Sequence, residues 1–134
     1  MTDIVVTFPG NKRVDANVGA FTIHTDQPTD LGGEGAEAAP FDLFLASLAT
    51  CAGIYALGFC QARKLPTEGL ALTQHVELNP ETHLPTKITL SLQLPEGFPE
   101  THRAAIVRAI ENCKVKKTIA AQPAFEVLTL APTR

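Results

Sequence analysis

Cysteine is scarce in this 134-residue chain, and its placement follows no binding pattern. Cys51, Cys60 and Cys113 are an odd number, nine and fifty-three positions apart, with no Cys-x-x-Cys among them. A secreted disulfide framework and a zinc knuckle are both excluded. Histidine is equally dispersed: His24, His75, His83 and His102 form no i,i+4 pair and have no cysteine at ligand spacing, so no metal is expected. Positive charge is in deficit too. Eleven Lys+Arg against fourteen Asp+Glu leave a formal charge of −3, the opposite of the footprint of a nucleic-acid binder. Gly32-Gly-Glu-Gly35 lacks both the Lys-Ser/Thr of a phosphate loop and the third glycine of the dinucleotide fingerprint, and no cofactor is expected. Ser47 lacks the glycines of a Gly-x-Ser-x-Gly elbow, and no motif places a histidine beside a nucleophile, which argues against a hydrolase. The start, MTDIVVTF, carries Asp3 and no basic segment leading into an apolar stretch, so a cytoplasmic protein is expected. There is no internal repeat and no low-complexity tract.

What is present is an ordinary globular composition, 45% hydrophobic and 19% charged, at a length that fits one domain over residues 1–134. Residues 2–8 are β-branched and stop at Pro9-Gly10, which predicts a strand and a turn. Val18–Thr25 alternates at period two and is expected to pair back onto that strand. Gln27 to Ala39, QPTDLGGEGAEAA, reads as a long loop. From Pro40 a helix of about two dozen residues follows: proline suits the first turn, Asp42 complements the positive end of the dipole, Arg63 and Lys64 the negative end, and Pro66 stops it. Leu43 to Cys60 is eighteen residues without a charge. That is the bottom of the range for a membrane span, the run holds Ser47, Thr50, Gly53 and Gly58, and its flanks are strand-like, so a helix buried on every face is expected instead, with no membrane. Strands are predicted over Leu70–Leu78 and Lys87–Leu94, the second with Ile88, Leu90, Leu92 and Leu94 alternating with polar residues. An amphipathic helix runs from Glu100 to Asn112, a short helical turn covers Lys114–Ala121, and a last strand Phe125–Leu130. One sheet face and one amphipathic helix cannot surround an apolar helix, so a second copy of the chain is expected to supply the remaining cover.

Cys51 and Cys60 on one helix lie about 13.5 Å apart along its axis and on opposite faces. They cannot bond to each other, because bridged Cα atoms lie within about 7 Å, so any working pair must use Cys113. Cys60, in the apolar tail of the helix, reads as a small buried hydrophobe. A redox role for Cys51 needs the thiolate: at a pKa near 8.5 only about 3% is ionised at pH 7, against about 90% at a pKa near 6. Cys51 is three turns from Pro40, beyond the reach of its own helix dipole, so a cation is expected to be required, with Arg13 ahead of Arg63 and Arg103. Cys113, near the negative end of its helix, should hold its proton longer and should be the more easily reached of the two.

The segment Pro40-Phe-Asp-Leu-Phe-Leu-Ala-Ser-Leu-Ala-Thr-Cys51, followed about sixty residues on by Glu111-Asn-Cys113-Lys-Val-Lys-Lys-Thr118, resembles the OsmC/Ohr family, the osmotically inducible and organic hydroperoxide resistance proteins, and within it the YhfA-like branch. The resemblance covers most of the chain, Leu31-Gly-Gly33 included. It implies an α+β fold: an intertwined homodimer with antiparallel sheets around a long buried central helix and two sites at the interface. It also implies a thiol-dependent, peroxiredoxin-like peroxidase acting on organic hydroperoxides. Cys51 would attack, giving a sulfenic acid that Cys113 converts to a disulfide, and a lipoyl-type dithiol would reduce the disulfide. Arg13 would stabilise the thiolate and the leaving oxygen. The sequence departs from the family where peroxidases carry a glutamate after the helix proline: Phe41 stands there, and the acid is Asp42, one step round the helix. Phe41, Phe44, Leu48 and Tyr55 are expected to line an apolar substrate pocket. Phe41 in the glutamate position motivates an alternative, a non-enzymatic homodimer of this fold that binds a small apolar ligand or a partner at its interface.

Overall fold

The computed structural model describes residues 3–132, so Thr2, where the first expected strand begins, lies outside the described residues. The β-branched N-terminal run forms β1 (Ile4–Gly10). Asn11, at φ 48°, turns the chain into β2 (Arg13–Val18), and Gly19, at φ 58°, turns it again into β3 (Phe21–Thr25). The three make an antiparallel sheet in the order β1-β2-β3. The expected direct pairing of residues 2–8 with 18–25 is thereby corrected: β2 stands between the two runs and pairs with both, because the turns fall at Asn11 and at Gly19. Asp15 lies opposite His24 and Asn17 opposite Thr22. Arg13, Asp15 and Asn17 therefore share one face with polar partners, while Val14, Ala16, Val18, Phe21 and Ile23 share the other.

The loop after β3 is tied by backbone hydrogen bonds from Gly33 to Pro28, from Gly35 to Gln27 and from Asp26 to Ala38. Gly33 is obligatory for the close approach, since a Cβ there would stand 1.9 Å from the Gln27 carbonyl oxygen. Gly33→Ala is expected to destabilise the protein by about 1–3 kcal/mol, the usual scale of overpacking. A lowered urea midpoint at unchanged slope would register this.

Pro40 opens α1 (Pro40–Ala62). The chain divides into two compact units, one ending at Ser47 and the other beginning at Leu48, with the boundary inside α1. In the second unit, β4 (Ala71–Leu78) and β5 (Pro85–Gln93) form a two-stranded antiparallel sheet. A short 3-10 turn at Glu100–His102 leads into α2 (Arg103–Glu111), and α3 (Lys114–Ala121) follows. The core of this unit joins Ala52, Ala56, Phe59 and Cys60 of α1 to Ile106 and Ile110 of α2, with Leu72, Leu90 and Leu92 of the sheet packed against them.

By length and composition α1 could cross a membrane. Within one chain, however, its burial is confined to a stripe, Leu48, Ala52, Ala56, Phe59 and Cys60, at the spacing of a single helix face. Phe41, Phe44, Ile54 and Tyr55 remain exposed. Within one chain, one sheet and α2 cover a stripe and not a circumference, and the expected burial on every face includes cover from a second copy. The expected strand Phe125–Leu130 does not form. Phe125, Val127 and Leu130 are 92%, 93% and 91% exposed. No strand among the described residues pairs with this segment, and an unpaired strand leaves its backbone groups to water.

Candidate active site

Cys51 lies in the second unit, on α1, and is a half-buried residue. Cys113 follows α2 and is the N-cap residue of α3, with its backbone extended at ψ 123° before the helix begins. It is 1% exposed. The fold brings these two cysteines, sixty-two positions apart, into hydrogen-bond contact. All three cysteines are free thiols.

The electrostatics of the pair are unequal, and the causes can be named. The Cys113 thiol donates to the Cys51 sulfur, and the backbone N–H groups of Val115 and Lys114 donate to it as well, so the Cys51 pKa falls below the ordinary thiol range despite some opposing desolvation. Burial pushes Cys113 up, and its hydrogen bond to Cys51 pushes it further. Cys60 is also raised, by burial. Two sequence expectations are corrected here. Cys113 is the less accessible cysteine, because the α2–α3 junction folds it inward. A cation is not the only means of drawing a proton from Cys51: the dipole of α1 is too far away, but α3 presents its positive end to the sulfur. The signal was available, since a cysteine directly before a helical segment brings the free amides of that segment with it.

Beside Cys113 opens a cavity of about 480 Å³, walled by Leu48 of α1, Leu90 and Leu92 of β5, Ile106 and Ile110 of α2 and Ile119 of α3. Arg103, Glu111 and Lys116 are the charged residues in its lining. An apolar space of this size beside a paired thiol suits an organic molecule better than a small hydrophilic one.

The profile of the OsmC-like protein family matches residues 33–127. The chain belongs to the OsmC-like family. Its fold is shared by solved structures across bacteria. A Psychrobacter arcticus 273-4 protein, described as one of osmotic stress induction and detoxification response, is 21% identical with a TM-score of 0.73 over 88% of each chain. An organic hydroperoxide resistance protein, OsmC, from Legionella pneumophila is 24% identical with a TM-score of 0.59, over 89% of this chain and 88% of that one. An OsmC-like protein of Mycoplasma pneumoniae is 19% identical with a TM-score of 0.68, over 91% and 89%. No curated protein sequence matches the chain.

The remaining residues singled out from sequence in this OsmC-like chain fall as follows. Leu48 is in the cavity wall, whereas Tyr55 of the same unit is not part of it. Phe41 and Phe44 stack on each other at 5.8 Å on an exposed stretch of α1. Asp42 accepts the Ala39 N–H at 3.2 Å, while the Leu43 N–H bonds back to the Ala39 carbonyl, so the carboxylate is engaged as half of a capping box. Arg13 sits on the polar face of the first unit's sheet, and Asp26, which sequence reasoning passed over, is fully buried directly after β3.

The asymmetry of the thiols has a direct consequence. With limiting iodoacetamide at neutral pH, Cys51 is expected to be carbamidomethylated first, with Cys113 and Cys60 protected by burial and by their retained protons. Peptide mass mapping at partial labelling checks the order.

Proposed function

We propose that the protein is a thiol-dependent peroxidase that reduces organic hydroperoxides. The observation that carries this reading is the Cys51 sulfur, lowered in pKa by a thiol and two helix-terminal amides, with the protonated Cys113 already in contact with it. The Cys51 thiolate attacks the distal peroxide oxygen, the O–O bond breaks, and the alkoxide takes a proton and leaves as the alcohol. Cys51 is oxidised to the sulfenic acid. The Cys113 thiol then displaces hydroxide from that sulfur, forming the Cys51–Cys113 disulfide and releasing water. A dithiol, of lipoyl type in this reading, returns both cysteines to thiols by exchange. The apolar cavity is lined by Cys113, the hydrogen-bond partner of Cys51, and suits hydroperoxides with a hydrocarbon body better than hydrogen peroxide.

Arg13 enters through the family resemblance, as a cation for the leaving oxygen, and Arg13→Lys tests that role by hydroperoxide turnover. The protein is further proposed to work as a cytoplasmic homodimer. Support comes from the exposed Phe41, Phe44, Ile54 and Tyr55 on α1 and from the exposed apolar residues of the C-terminal segment, Phe125, Val127, Leu128 and Leu130. Sedimentation in dilute solution at the 14.3 kDa of one chain removes the dimer.

The engagement of Asp42 at the helix start, with Phe41 in the acid position, favours a second reading, a slow-thiol homodimer that binds an apolar ligand. One equivalent of cumene hydroperoxide separates the two. The peroxidase loses two free thiols per chain. No loss, or an equal loss in Cys51→Ser, ends the peroxidase reading.

A further inference from the structure

α3 departs from the usual composition of a helix start. The positive end of the helix dipole favours Asp and Glu, yet the first turn of α3 has no acid, and Lys114, Lys116 and Lys117 stand there instead. All three are exposed, and none forms an ion pair among the described residues. Arg103, by contrast, is engaged by Glu100, its Nε 3.0 Å from both carboxylate oxygens. Asn112 to Phe125 holds the three lysines and no Asp or Glu, whereas the other eight Lys+Arg of the chain face fourteen Asp+Glu, a formal −6. Cations gathered where the helix disfavours them, on a chain otherwise acidic, are the mark of a functional surface that attracts an anionic partner. That surface adjoins the thiol pair. Cys113 caps α3, and the amides of Lys114 and Val115 donate to the Cys51 sulfur. At about 100° per residue Lys114 and Lys117 share one side of the helix and Lys116 lies on the other, where it lines the cavity together with Glu111. Glu111 opposes a small anion inside the cavity, and charges on two sides of one turn lie too far apart for a single carboxylate, so the cluster fits an extended acidic surface. A disulfide here cannot be reduced from within the chain either, because Cys60 is fully buried and half a turn round α1 from Cys51.

We propose that the lysine-bearing first turn of α3 is the docking surface for the reductant, a protein that presents its dithiol from an acidic surface. The inference rests on the peroxidase reading and names the chemistry of its electron donor. The partner's thiolate attacks the sulfur of Cys51, the half-buried member of the pair. The Cys51–Cys113 bond breaks, and Cys113 leaves with the electron pair and takes up a proton. The partner's second thiol then displaces Cys51 from the mixed disulfide. Two electrons and two protons have passed to the cysteines, and the partner's dithiol has become a disulfide.

The probes are two synthetic peptides that carry a dihydrolipoyl-lysine, flanked by glutamates in one and by glutamines in the other. The protein is oxidised with one equivalent of cumene hydroperoxide, and reduction of its disulfide is followed by mass spectrometry of acid-quenched samples. At about 10 mM salt, where the screening length is about 30 Å, the glutamate peptide should react at least about tenfold faster than the glutamine peptide. The advantage should vanish at about 1 M salt, where that length is about 3 Å. Lys117→Glu reverses a charge outside the cavity lining and away from the bonds to the Cys51 sulfur. It should cut the advantage by about threefold or more and leave reduction by the uncharged dithiothreitol unchanged. Equal rates for the two peptides at low salt overturn the proposal, as does an advantage that survives Lys117→Glu or a rate with dithiothreitol that falls in parallel. Free dihydrolipoate that gains as much over dihydrolipoamide as the glutamate peptide gains over its control also overturns it, since a small anion would then suffice. The peroxidase reading fails separately, when the hydroperoxide forms no disulfide. Diamide then makes the same bond, and the comparison of the peptides decides the docking surface alone.

Discussion

Cys51→Ser is expected to lower hydroperoxide turnover by at least about three orders of magnitude, the scale on which enzymes lose activity when their nucleophile is removed. A serine hydroxyl in the same place keeps the hydrogen bonds from Cys113 and the α3 amides but has no accessible anion at neutral pH. Cys113→Ser should separate the two steps. The first equivalent of hydroperoxide is still consumed, because Cys51 retains the amides of Lys114 and Val115. No disulfide follows, and the sulfenic acid persists until an external thiol or excess peroxide meets it. Mass spectrometry distinguishes the states: the unmodified chain loses two hydrogens on oxidation, whereas Cys113→Ser gains one oxygen. A Cys51→Ser protein that turns over at the unmodified rate would remove Cys51 from the chemistry.

Much of this arrangement is legible in the amino-acid sequence, and the boundary between legible and illegible follows physical range. The long helix was legible because its signals are local: Pro40 at the first turn, Asp42 at the positive end and Pro66 after the last turn all act within a few residues. β5 is legible through the alternation of Ile88, Leu90 and Leu92. The cysteine pair was legible only through the resemblance, since no periodicity joins residue 51 to residue 113. Two things escaped. The buried carboxylate of Asp26 accepts amides from residues 27, 34 and 36, and a loop that wraps one carboxylate has no repeat to detect. The C-terminal segment has the composition of a strand, but composition cannot provide the neighbouring strand that would pair with it. Phe41 and Phe44 illustrate the same limit, since an apolar helix face shows that something will cover it without saying what.

Lys114→Pro is the second change from which a large effect is expected, and it isolates the activation of Cys51. Residue 114 is the first of α3, where proline is favoured, and Cys113 before it already has the extended ψ that a following proline demands. The first bond of the helix, from the Lys117 N–H to the Cys113 carbonyl, at 2.9 Å, is untouched. What disappears is the Lys114 N–H, one of the two amides that donate to the Cys51 sulfur, while the Val115 N–H remains. A hydrogen bond to a charged acceptor is worth about 1.5–3 kcal/mol, and the half-exposed sulfur takes the lower end. Alkylation of Cys51 at neutral pH should therefore slow by roughly tenfold, as the midpoint of its pH–rate profile moves upward. The sign follows from the direction of the original effect: the amide favours the thiolate, so its loss favours the thiol, and the deficit is greatest below both midpoints and vanishes above them. Lys114→Ala is the control. It removes the same side-chain charge and keeps the amide, so its profile should overlay that of the unmodified protein. Should Lys114→Ala slow the reaction as much as Lys114→Pro, the activating group would be the lysine ammonium and not the terminus of α3. With both profiles unchanged, the lowered pKa of Cys51 would rest on Cys113 and Val115 alone.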